Sequence, residues 1–186
     1  MTDLSILLIT RRTLVVTGAT ALLAGAISHP APALGEPVTP DDPRSIINDI
    51  YTRVARGKGD GGGGFVTSSK SDRARNLSRS LAALWLKADA HTPKGDVGPV
   101  DFDPVTNSQE PDVKSFSMTT ESFDSERATI AVTITGRHAP RAHAADAVIR
   151  YDFIRDPVRW KIDDIRSADD GKPWSLRGML EDSLKN

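Results

Sequence analysis

Between positions 147 and 165 the chain alternates apolar and polar residues twice, on either side of a break that holds Pro157. Ile149, Tyr151 and Phe153 alternate with Val148, Arg150 and Asp152, and Trp160 and Ile162 alternate with Arg159, Lys161 and Asp163. A period of two marks a strand with one buried face, so this stretch predicts a β-hairpin. Folding it at residues 155–158 sets Phe153 opposite Trp160, Tyr151 opposite Ile162, Asp152 opposite Lys161 and Arg150 opposite Asp163. One face is then aromatic and aliphatic, and the other carries two cross-strand charge pairs, each worth roughly 0.2–1 kcal/mol. A one-residue slip would bring charges across from apolar side chains. In this register Ile149 meets Asp164, which leaves one carboxylate at the end of the apolar face.

The preceding chain supplies what that face can pack on. Asp42 followed by Pro43 reads as a helix N-cap and first helical residue. Ile46, Ile47, Ile50, Tyr51 and Val54 follow at helical spacing. The glycines from 61 to 64 end that helix; no Gly-Lys-Ser/Thr closes the run, so it reads as a loop and not a phosphate cradle. A second helix, begun at Ser71 or Ser78, places Leu77, Leu81, Leu84 and Trp85 on one face and runs to about Ala90. Strand patterns follow at 113–120 and 128–135, then the hairpin. Ser175 caps a closing helix whose apolar face is Leu176, Met179, Leu180 and Leu184. Helices first and about four strands after them imply an α+β domain, a mixed or antiparallel sheet packed on helices.

The domain plan is a leader over 1–33, a spacer over 34–40 and one domain over 41–186. Arg11-Arg12 precede a run of 14 apolar and small residues and then Ala31-x-Ala33, the pattern of an export signal of twin-arginine type. The run is shorter than the ~20 residues that span a bilayer, so no stable span is expected once the signal is removed. Periplasmic or secreted localisation follows, with cleavage after Ala33 or Gly35. The sequence has no cysteine, which excludes disulfides, thiolate metal sites and cysteine nucleophiles. Its 24 basic and 25 acidic residues give a net charge of -1, and no basic face for nucleic acid stands out. No cofactor is called for.

Loop 101–110 is dense in acceptors: Asp101, Asp103, Asn107 and Gln109. A calcium loop would need a ligand where Val105 stands and glycine where Thr106 stands, so these side chains are expected to cap their own turns or line a pocket, with no metal. His138 and His143 fall on a long hairpin loop.

Asp101-Phe102-Asp103-Pro104, Asn107-Ser108-Gln109, the strand ending Trp160-Lys161-Ile162-Asp163-Asp164-Ile165, and Trp174-Ser175-Leu176-Arg177 together resemble the bacterial family designated domain of unknown function 3828. The resemblance covers roughly residues 41–184 and departs from the family at Glu110 and in the glycine run. It implies a nuclear-transport-factor-2-like fold, a curved sheet enclosing a cone-shaped cavity over helices, and it implies no activity. The expected function is an exported, non-catalytic binding module for an unknown small ligand or periplasmic protein, with a pocket of Asp101, Asp103, Asn107, Gln109, Tyr151, Trp160 and Asp164. Homodimerisation stays open. One alternative is a small isomerase- or dehydratase-like enzyme with Asp164 or Asp103 as general base and Tyr151 as donor. Another is a periplasmic immunity-type inhibitor of a cell-wall hydrolase.

Overall fold

The computed structural model of the chain describes residues 41–57, 62–138 and 140–185. The expected leader, with Arg11 and Arg12, and the spacer lie outside them. Helix α1 (Pro43–Ala55) starts where the Asp42-Pro43 pair predicts, with the Asp42 carboxylate accepting from the Arg44 N–H. The expected second helix is two helices. Ser69 caps α3 (Lys70–Asn76) and Ser78 caps α4 (Arg79–His91), and a single turn, α2 (Gly64–Thr67), precedes both. The break falls at Leu77, whose extended backbone forms a parallel bridge with Ile162. Ser175 caps α5 (Leu176–Asp182) as expected.

Strands β1 (Ser115–Phe123), β2 (Arg127–Thr135), β3 (Val148–Arg155), β4 (Trp160–Asp169) and β5 (Lys172–Ser175) make one antiparallel sheet in sequence order. The strand count is thus five and not four. The added strand is short and carries Pro173, which lacks an N–H and is tolerated at a sheet edge. It is turned back on β4 by Asp170-Gly171, both at positive φ (49° and 74°), the geometry of a tight two-residue hairpin. Leu77 covers the part of β4 that β5 does not reach.

The β3–β4 register differs from the expected one. Arg155 faces Trp160, Ile154 faces Lys161 and Phe153 faces Ile162; a bulge at Asp163 then sets Asp152 opposite Asp164 and Tyr151 opposite Ile165. The bulge re-phases the strand, so Ile165 and not Asp164 joins Trp160 and Ile162 in the core. The polar face is held by different partners from those expected. Arg150 pairs with Glu121 of β1 at 3.0 Å, and Arg166 pairs with Asp152 at 2.5 Å while Thr129 also donates to Asp152.

The other face is buried. Ile47, Ile50, Tyr51 and Val54 of α1, Leu81, Trp85 and Ala88 of α4, and Leu176 and Leu180 of α5 form one core with Ile130, Val132, Ile149, Tyr151, Phe153, Ile162 and Ile165. Each fully buried aliphatic or aromatic side chain contributes about 1.5–3 kcal/mol. All described residues belong to one compact unit, and among them no helix is long and apolar enough to cross a membrane.

Candidate functional site

Loop 101–109 is locked by its own side chains. Asp103 accepts from the Val105 N–H (3.0 Å), the Thr106 hydroxyl (2.8 Å) and, across the chain, the Gly63 N–H (2.6 Å). Asn107 sits at φ 51°, a left-handed conformation that asparagine tolerates. Its buried amide donates to the carbonyls of Asp146 (3.0 Å) and Ala168 (2.6 Å) and accepts from the Trp174 indole (2.9 Å). Arg141 closes the arrangement from outside, donating to the carbonyls of Thr106 and Asn107. One asparagine therefore ties the loop to the β4–β5 hairpin. Losing its amide would leave buried groups unsatisfied at about 1–3 kcal/mol.

Between that loop and the hairpin lies a cleft of about 580 Å³, within the usual size of small-molecule sites. Its base is apolar: Phe102 and Trp174 meet edge to face with ring centres 5.0 Å apart, beside Pro173 and Met179. Its rim holds Asp101, Gln109, Asp169 and Lys172, all exposed. Asp169 and Lys172 pair through their backbones in the hairpin, but none of the four side chains makes a hydrogen bond or ion pair with another described residue. Three of the sequence candidates thus converge here: Asp101, Gln109 and the buried Asn107. Phe102, Asp169, Lys172 and Trp174 complete the cleft and were not among the candidates; the Asp170-Gly171 turn signal was the clue that would have brought the hairpin to it.

The other candidates lie elsewhere. Tyr151 is fully buried, and its hydroxyl meets that of Tyr51 at 3.0 Å. Because Tyr51 donates its own proton to the Val105 carbonyl (2.7 Å), Tyr151 is the donor of the pair. Burial pushes both phenols well above their ordinary range, and the nearby Asp103 charge adds to this, so neither ionises near neutrality. Tyr151 is a core residue and does not line the cleft. Asp103 borders a neighbouring depression with Asp101, Phe102 and Gln109, its oxygens engaged as described. Trp160 is buried at the far end of β4, its indole donating to the Asp41 carbonyl at 3.1 Å and its ring under the Arg155 guanidinium. Asp164 takes bonds from the Ile165 N–H (2.9 Å), the Arg177 N–H (2.9 Å) and the Ser175 hydroxyl (2.6 Å), which places it under the start of α5.

Among the described residues no three His, Asp or Glu side chains gather as a metal centre would require. No family model, curated protein or solved structure matches this chain.

Proposed function

We propose that the chain is an exported, non-catalytic binding module on a nuclear-transport-factor-2-like frame, related to the domain of unknown function 3828 family, and that its ligand site is the cleft between loop 101–109 and the β4–β5 hairpin. The observation that carries this reading is the division of labour among its polar groups. Asp103 and Asp164, the candidate general bases, each accept three hydrogen bonds from the fold itself. Asp101, Gln109, Asp169 and Lys172 surround an aromatic base with no described partner. Charged and amide groups of both signs around a Phe–Trp floor suit a small, partly apolar ligand with polar ends. An isomerase-type reaction would need an accessible, desolvated carboxylate beside a donor, and Tyr151 lies fully buried away from the cleft. Export rests on Arg11-Arg12 and the apolar run after them.

Native mass spectrometry of the chain purified from its own periplasm tests the reading. The parent carries a ligand of fixed mass, and Lys172→Glu loses it without a change in the urea midpoint, since the Lys172 side chain is exposed and bonds no described residue. A Lys172→Glu protein that retains the same adduct would remove the cleft from consideration.

A further inference from the structure

Many of the arginines in the fold are paired with carboxylates, though Arg53, Arg56, Arg127 and Arg159 form no such ion pair among the described residues. Arg73, Arg79, Arg150, Arg155, Arg166 and Arg177 each reach an Asp or Glu. Arg137 and Arg141 do not, among the described residues. Arg137 donates through Nη2 to the Ala55 carbonyl at the end of α1, and Arg141 donates through Nη1 and Nη2 to the carbonyls of Asn107 and Thr106. A neutral carbonyl orients a guanidinium without cancelling its charge. Each guanidinium carries five N–H donors, so both keep several unused.

Both arginines line one cleft of about 440 Å³, which shares no lining residue with the Phe102–Trp174 cleft. Among the described residues no carboxylate lines it, although Asp112 accepts the Arg137 backbone N–H at 2.8 Å from beside it. Its two histidines are each held from outside, His138 by Asp112 at 3.2 Å and His143 by Asp170 at 3.1 Å. The rest of its wall is mostly apolar, Ile134, Pro140, Ala144 and Ala147, with Thr135 and Gly136 between them. Two guanidiniums without an ion pair beside an apolar wall, in a volume larger than an inorganic ion needs, are the complement of a small organic anion.

We infer that this cleft binds a small organic acid, its carboxylate on the free N–H groups of Arg137 and Arg141 and its apolar body against Ile134, Ala144 and Ala147. The site shares no lining residue with the one proposed above and does not rest on that reading, although Arg141 also braces the Asn107 carbonyl, so Arg137 is the residue varied. Calorimetry and amide NMR on the full chain test it with three probes: benzoate, benzamide (the same body without charge) and inorganic phosphate (charge without the body). Benzoate binds saturably and moves the amide resonances of Arg137, Ala144 and Ala147; benzamide binds at least about ten-fold more weakly for want of the charge-assisted hydrogen bond, and phosphate at least about ten-fold more weakly for want of apolar burial. Arg137→Gln lowers benzoate affinity by a similar factor and Arg137→Lys restores part of it. Equal binding of benzamide would reduce the cleft to an apolar dent, and equal binding of phosphate to a charged patch; either overturns the proposal. Unmoved resonances at 137, 144 and 147 in the unaltered chain overturn it as well, whatever the stability of the variants.

Discussion

A carboxylate beside a helix N-terminus serves either as a reactive group or as a cap, and the bonds at Asp164 decide for the cap. Ser175 closes the first turn of α5 by accepting from the Gly178 N–H. Asp164 in turn accepts the Ser175 hydroxyl proton and the Arg177 N–H. Asp164→Ala removes the acceptor for both and should cost about 1–3 kcal/mol. Asp164→Asn, which keeps one carbonyl acceptor, should fall between it and the parent. Urea melts decide this, and an Asp164→Ala midpoint equal to the parent's would refute the capping role. A capping role at a turn is one reading the sequence allows for Asp164; what differs is its expected place on the apolar face, and that difference has a specific source. Adjacent strand residues point to opposite faces only while the strand is regular, and the bulge at Asp163 breaks that rule. A signal was present: Ile162 and Ile165 are three apart and both apolar, a spacing no regular strand places on one face. Asn107 was legible as a turn residue, but its three long-range bonds to residues 146, 168 and 174 leave no local trace.

At the scale of elements, alternation specified which residues face the core better than which residues pair. Ile149, Tyr151, Phe153, Trp160 and Ile162 are all buried as expected. Their register is nevertheless shifted by two up to the bulge, because a two-residue slip preserves both faces and only a one-residue slip is penalised, and by three beyond it, where the bulge adds one residue. Helix caps at Asp42, Ser78 and Ser175 were legible because each acts within three residues of itself. The split of the second helix was not, since Leu77 leaves the helix to pair with β4, a contact distant in sequence. The glycine run is a further case. A Cβ at Gly63 would lie 2.1 Å from Cβ of Val105 and within 2.5 Å of both its methyl groups, so glycine there is needed for close packing. Gly63→Ala must push Val105 out of the core or break the Gly63 N–H bond to Asp103, at about 1–3 kcal/mol or more. Gly98→Ala, with nothing within 4 Å, should leave stability within about 0.5 kcal/mol of the parent. Similar chemical-denaturation midpoints for the two variants would show that the loop, and not the packing, dictates the glycines.

For the molecule as a whole, the outer connections are made by ionised aspartates, and this gives its stability a direction in pH. Burial works against the Asp42 charge, yet bonds from the Arg44 side chain and N–H, together with its positive charge, hold the carboxyl below its ordinary range at the start of α1. Asp112 is lowered by the N–H groups of Arg137 and His138, which join the chain before β1 to the chain after β2. Asp124 is lowered by the N–H groups of Glu126 and Arg127 in the β1–β2 turn. Asp156 is lowered by the N–H and the guanidinium of Arg79, which fasten the β3–β4 turn to the start of α4. In each case the folded pKa lies below the unfolded one, so the native state holds fewer protons than the unfolded state in the window between them. The stabilisation is therefore complete above the unfolded value, about 4, and is lost as pH falls through the folded values. Urea midpoints should be flat from pH 7 to 5 with respect to these groups and fall steadily from pH 4 to 2. Asp156→Asn should begin lower at pH 5, because it has already lost the Arg79 ion pair, and then lose less on acidification than the parent. Parallel acid losses in parent and variant would mean that the tie between the β3–β4 turn and α4 contributes nothing through its charge.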